Sequence, residues 1–162
     1  MTISVGDRLP EATLFEMTDQ GPAQVASSEV FAGKTVALFG LPGAFTPTCS
    51  NSHMPGFVAA AEALRAKGVD AIVCLTVNDP YVAAEWGRVT GATAAGIRVL
   101  GDSLAELTRA MGLDFDGSAR GLGVRCKRFS ALVKDGEVTV LNIEPAPGQA
   151  VCSVGEVLLD QI

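Results

Sequence analysis

Histidine occurs once in this chain of 162 residues, and its four cysteines, Cys49, Cys74, Cys126 and Cys152, include no C-x-x-C pair. One histidine and scattered thiols leave little from which to build a zinc site, so no metal is expected, and no organic cofactor either. The absent pair also counts against a dithiol–disulfide exchange protein, which usually carries it at a helix start. No apolar run approaches the ~20 residues that cross a bilayer. Met1 to Asp7 has neither a basic segment nor an apolar one, so no secretory leader is read there and a cytoplasmic location is expected, with reduced thiols and any disulfide transient. Basic residues are outnumbered, 12 against 18 acidic, for a formal net charge of −6, so neither nucleic acid nor an anionic membrane is an expected partner. Gly33-Lys34-Thr35 ends like a phosphate loop, but Ser28 stands where that motif needs glycine, which discounts a nucleotide-binding module.

What is present suits a folded chain: 48% hydrophobic and 19% charged residues, with no internal repeat, low-complexity tract or linker. A single domain over residues 1–162 is expected. Strand-like runs at Thr35–Phe39, Ala71–Val77 and Ile97–Leu100 alternate with helix-like segments, the pattern of an α/β layered fold. Pro47 to Ala66 reads as a helix ending near Gly68, with Pro55 bending it. Pro80 to Thr90 reads as a second, capped by Asp79, and Ser103-Leu104-Ala105-Glu106 as a capping box opening a third. Phe129–Val133 and Val138–Ile143 flank Lys134-Asp135-Gly136-Glu137, a hairpin whose Asp-Gly tolerates left-handed turn geometry. Glu144-Pro145-Ala146-Pro147-Gly148 is an expected exposed loop, and Ser153 to Leu159 a last helix.

The stretch Phe39-Gly40-Leu41-Pro42-Gly43-Ala44-Phe45-Thr46-Pro47-Thr48-Cys49-Ser50 runs from a buried strand through a tight loop into a helix, with Cys49 in its first turn. Free amides and the positive end of the helix dipole favour an anion there, pushing a thiol towards the nucleophilic thiolate. The competing reading of Cys49 is a small buried hydrophobe, as most free cysteines are. Thr46 reads as the N-cap, with a hydroxyl also able to bond a thiolate three residues on.

Pro42-x-x-x-Thr46-x-x-Cys49 resembles the active-site motif of peroxiredoxins, and Pro-Gly-Ala-Phe-Thr-Pro-Thr-Cys-Ser resembles its type II, peroxiredoxin-five-like form. His53-Met54-Pro55-Gly56-Phe57, Val77-Asn78-Asp79, Glu85-Trp86-Gly87, Arg128-Phe129-Ser130 and Asn142-Ile143-Glu144-Pro145 extend the resemblance over nearly the whole chain. It implies a thioredoxin-like fold, a central mixed β-sheet flanked by helices. It also implies roles: Cys49 as peroxidatic cysteine, Thr46 bonding the peroxide, Pro42 shielding the site and Arg128 as catalytic arginine.

Strand alternation puts Cys126, Arg128 and Ser130 on one face, with Lys127 and Phe129 on the other, so an arginine of the basic cluster Arg120, Arg125, Lys127 and Arg128 is aimed inwards. Arg125 is the neighbouring candidate, and the resemblance selects Arg128. His53, four residues after Cys49 on the same helix, can assist ionisation or line the pocket, but reads at least as well as a half-exposed, locally hydrogen-bonded histidine and is assigned no catalytic role. Trp86 and Phe45 read as core or pocket wall. A sulfenic acid on Cys49 needs a second thiol. Cys152, after the proline-rich loop, and Cys74, in an apolar strand, resemble resolving positions; glutathione, directly or through glutaredoxin, can bypass both, and thioredoxin is the other reductant implied. Cys126 has no assigned role. The resemblance further implies a hydroperoxide substrate and a homodimer packed through loops near the site.

Overall fold

The computed structural model describes residues 1–162 and opens on a hairpin absent from the sequence reading, β1 (Thr13–Thr18) paired antiparallel with β2 (Gly21–Ala26). A short helix, α1 (Ser27–Phe31), leads into β3 (Thr35–Leu41), the first of the expected strands. A widened π turn, Cys49–His53, then runs into α2 (Met54–Ala66). The bend expected at Pro55 takes this form: proline has no N–H to return to the preceding turn, and Met54 N bonds back five residues, to the Cys49 carbonyl. Next come β4 (Ala71–Thr76), α3 (Pro80–Val89) and β5 (Ile97–Gly101). The Asp79 carboxylate caps α3 as expected, accepting from Val82 N at 3.0 Å.

The capping box at Ser103 does not form. Ser103 Oγ donates to the Asn78 carbonyl instead, and Glu106 accepts from Thr13 N. The buried Asp102 carboxylate holds the first amides of α4 (Glu106–Ala110), at Leu107 and Thr108, because Ala105 in a left-handed conformation turns the chain back towards it. A small ribbon follows, β6 (Asp114–Asp116) with β7 (Val124–Cys126). The expected hairpin is β8 (Phe129–Lys134) with β9 (Glu137–Ile143), turned at Asp135 (φ 48°) and Gly136 (φ 79°). The last helix, α5 (Gly155–Asp160), starts two residues later than expected.

One seven-stranded sheet in the order β2-β1-β5-β4-β3-β8-β9 organises the chain, with β3, β4 and β5 parallel and the outer pairings antiparallel. The fold is thus the mixed, thioredoxin-like α/β sheet that the resemblance implied. The central strands read as nearly unbroken apolar runs because both their faces are covered. One face carries Phe39, Ile72, Cys74 and Leu132 against Phe57 and Leu64 of α2, Trp86 of α3 and Leu158 of α5. The other carries Leu38, Val73, Phe129 and Val133 against Phe31 of α1 and Leu107 of α4. No helix is long and apolar enough to cross a membrane.

Candidate active site

The carboxyl end of β3 delivers the chain into the loop Pro42–Thr46 and then into the helical turn of Cys49. Thr46 is not a side-chain cap: its hydroxyl donates to the Gly43 carbonyl at 2.7 Å, which closes the loop, while its own carbonyl accepts from Ser50 N. Asn78, at the end of β4, accepts from Ala44 N and so ties this loop to the next one. Phe45 pays for the tight path with φ 62° and is mostly exposed rather than packed, contrary to its reading as core or pocket wall. Trp86 is fully buried, and its indole N–H donates to Ser50 Oγ beside Cys49.

Cys49 Sγ has no exposed surface and packs on the face of the sheet that also holds Phe39, Phe57 and Cys74. It is not an inert core thiol by its contacts, since Arg128 Nη2 donates to it at 3.2 Å. A fixed guanidinium favours negative charge on that sulfur through a charge-assisted hydrogen bond. Arg125, the rival candidate, braces the loop instead of the sulfur: its Nε donates to Leu122 O and its Nη1 to Pro42 O.

The strand face assigned to Arg128 needs one correction. Arg128 and Ser130 do face the Cys49 side, but Cys126 packs on the opposite side with Phe129. β7 stops at Cys126 and β8 starts at Phe129, so Lys127 and Arg128 lie between ladders, where the two-residue alternation is interrupted.

His53 departs furthest from its reading. It is completely buried, its ring edge-on to Phe39 and Phe57. Nε2 lies 2.9 Å from the Ser153 carbonyl, which can only accept, so Nε2 carries the proton; Nδ1 then accepts from Arg128 Nη1 at 3.0 Å. Burial, and after it the Arg128 charge, lowers the imidazole from 6.5 to about 4 and keeps it neutral. Its one legible signal was spacing, four residues after Cys49; its depth came from the packing of α2 on the sheet.

Glu144, read in the sequence only as part of the resemblance and of an exposed loop, is instead nearly buried and accepts from Val151 N and from Ser153 N and Oγ at 2.6 to 2.8 Å. Burial alone would push its carboxyl up, but these donors outweigh it and hold it below the usual range. Cys152 sits between the two anchored residues, half-buried, with Sγ 3.6 Å from the Ile143 carbonyl. Burial and the nearby Glu144 charge raise its thiol. Cys74 is buried in β4 on the Cys49 side and burial raises it strongly; Cys126, beyond the sheet, is pushed up to about 12, chiefly by burial.

Beside Arg128 opens a cleft of about 650 Å³, whose lining does not include the buried Cys49. Pro42, Thr46 and Arg128 line it together, β6–β7 contributes Phe115, and the loop after β9 contributes Pro147. Pro147 O accepts from Arg128 Nη2 at 3.0 Å and Gly148 O from Thr48 Oγ1, so that loop is fastened to the site. Arg128 Nε is buried without a protein acceptor. A buried sulfur thus lies one hydrogen bond behind a fixed cation that lines an open cleft, with a spare buried donor on the same guanidinium, which suits attack by sulfur on a small electrophile that reaches it. No three His, Cys, Asp or Glu side chains are grouped to hold a metal ion.

A profile of the redoxin family matches residues 4–158. Peroxiredoxin-2E-2, chloroplastic, of Oryza sativa subsp. japonica is 47% identical over 161 residues, covering 97% of this chain and 72% of the relative. Peroxiredoxin-2B of Arabidopsis thaliana is 44% identical over 96% of both chains. Among solved structures, reduced Prx3 of Vibrio vulnificus in complex with hydrogen peroxide superposes with a TM-score of 0.92 at 42% identity, covering 99% of each chain. With Pro42, Thr46 and Arg128 lining one cleft, Cys49 bonded to that arginine, and relatives of this likeness, the chain belongs to the redoxin family and, within it, to the type II peroxiredoxins, a family of thiol peroxidases.

Proposed function

We propose that the protein reduces hydrogen peroxide and alkyl hydroperoxides through Cys49, using glutathione with glutaredoxin, or thioredoxin, as reductant. The observation that carries this reading is the 3.2 Å contact of Arg128 Nη2 with Cys49 Sγ at the start of a helix. The thiolate attacks the terminal oxygen of ROOH; the S–O bond forms as the O–O bond breaks, and the leaving RO⁻ takes up a proton to give ROH. Charge moves from sulfur to the leaving oxygen, so donors already in place act more strongly on the transition state than on bound peroxide. Arg128 supplies those donors, its unpartnered Nε included, Thr46 bonds the peroxide and Pro42 shields the sulfur. Because Sγ has no exposed surface, entry of the peroxide from the cleft requires the residues around the sulfur to move.

Cys152 is our proposed resolving thiol. It is half-buried on a segment outside the helices and strands, whereas Cys74 is locked inside β4. Its thiol condenses with the sulfenic acid to form the Cys49–Cys152 disulfide and water, and the external thiol then reduces that disulfide. We also propose a homodimer. Exposed Phe45, in the loop after β3, and exposed Tyr81, in the first turn of α3, support it, because Asn78 ties that loop to the segment leading into α3.

Stopped-flow mixing of reduced protein with hydrogen peroxide and with an alkyl hydroperoxide tests the reading. Rapid oxidation in the wild type and none in Cys49→Ser is expected; equally slow reaction of both overturns it. Cys152→Ser is expected to lose thioredoxin-supported turnover while Cys74→Ser keeps it. Turnover unchanged in Cys152→Ser would give the resolving step to Cys74 or to an external thiol.

A further inference from the structure

We propose that His53 is the positioning residue of Arg128, and that through it the guanidinium's place at Cys49 depends on the segment carrying Cys152. The inference rests on the peroxidase reading above but concerns a residue given no role in it. Arg128 is held on two sides: Nη1 donates to His53 Nδ1, and Nη2 is shared between Cys49 Sγ and Pro147 O. Pro147 O belongs to a loop of turns and bends, whereas His53 sits in the helix immediately after Cys49, wedged against Phe39 and Phe57. The imidazole is therefore the rigid side of the clamp.

An acceptor at Nδ1 exists only while the proton stays on Nε2, and the Ser153 carbonyl keeps it there. A flipped tautomer would set N–H against N–H. Ser153 in turn is held by Glu144, whose own backbone N–H donates to the Arg128 carbonyl. The chain of contacts thus runs from the Cys152 segment through Ser153 and His53 to Arg128 and ends at Cys49 Sγ. When that segment leaves its place, the proton on Nε2 loses its acceptor and the guanidinium its fixed partner. The site is therefore arranged for peroxide attack while the segment is docked, and loosened once Cys152 has been released to resolve the sulfenic acid.

Two variants separate positioning from packing. His53→Phe keeps the ring against Phe39 and Phe57 and removes both nitrogens; His53→Asn keeps an acceptor close to where Nδ1 stands. Losing a hydrogen bond to a charged group should slow single-turnover oxidation of Cys49 by about tenfold in His53→Phe. Most of that loss should return in His53→Asn. In an Arg128→Met background His53→Phe should change nothing further, since it acts through the guanidinium; a second tenfold loss there, or an unaltered rate in the single variant, overturns the inference. If the phenylalanine variant does not fold, His53→Gln replaces it, with its acceptor one bond farther out. Asparagine should then be the faster, and equal or reversed rates overturn the inference. A readout free of peroxide chemistry separates its failure from that of the peroxidase reading. The Arg128 guanidinium ¹⁵N–¹H signals should be resolved in the reduced wild type and averaged by rotation in His53→Phe, and signals unchanged by the substitution count against the inference even if the wild type proves inactive.

Discussion

A neutral imidazole beside a guanidinium is a choice between two poor alternatives, and burial decides it. Protonated His53 would place a second cation against Arg128 in a site without exposed surface, so the folded state holds it at about 4 against 6.5 when unfolded. The sign follows: between those values the unfolded chain binds a proton the folded chain refuses, so stability is full above pH 6.5 and falls as pH drops towards 4. The shift corresponds to roughly 3 kcal/mol. Urea titrations at pH 7 and pH 4.5 should therefore show a larger loss in the wild type than in His53→Phe, and equal losses would contradict the buried neutral ring. Arg128 is the complementary case. Arg128→Met removes the donor to Sγ and should lower the oxidation rate constant by about 100-fold, the scale of losing one preorganised donor, measured by the fluorescence of Trp86, the one tryptophan, bonded to Ser50 next to Cys49.

The element that decides how the site opens is the segment from Glu144 to α5. It contributes no strand or long helix: within it Glu144 holds Val151 and Ser153, and its ties to the body are few, Glu144 N to Arg128 O, Arg128 to Pro147, Thr48 to Gly148 and His53 to Ser153. Segments fastened this way open at lower free energy than the sheet beneath them. Glu144→Ala should therefore speed alkylation of Cys152 by a maleimide several-fold in reduced protein, with Cys74 and Cys126 remaining slow; an unchanged Cys152 rate would show that the carboxylate is no clamp. Gly155 sets where α5 begins. A Cβ there would stand 2.9 Å from Gly56 O and 3.2 Å from Ala60 Cβ of α2, both on a rigid helix. Gly155→Ala should cost about 1–3 kcal/mol by overpacking, read from the denaturant midpoint, and thermal unfolding identical to wild type would deny the close helix contact.

At the scale of the whole molecule, the exposed aromatic side chains of Phe45 and Tyr81 predict self-association. Phe45→Glu should shift sedimentation from dimer to monomer, and a monomeric wild type would leave those side chains without a partner copy. Much of this molecule was written locally. The central strands, the Asp79 cap and the Asp135-Gly136 turn follow from apolar runs and short-range hydrogen bonds, and the helix start carrying Cys49 follows from a strand meeting Thr46-Pro47. These depend on neighbours within a few residues, so residue order alone determined them. The capping of α4 by Asp102 instead of Ser103, the face of Cys126, and the choice of Arg128 over Arg125 depend on where the chain turns between elements. Tertiary structure alone decided the clamp itself. Cys49, His53, Arg128, Glu144 and Ser153 are up to 104 positions apart in sequence, between Cys49 and Ser153. A hydrogen bond across that separation exists only after the sheet has paired β3 with β8 and α2 has closed over it.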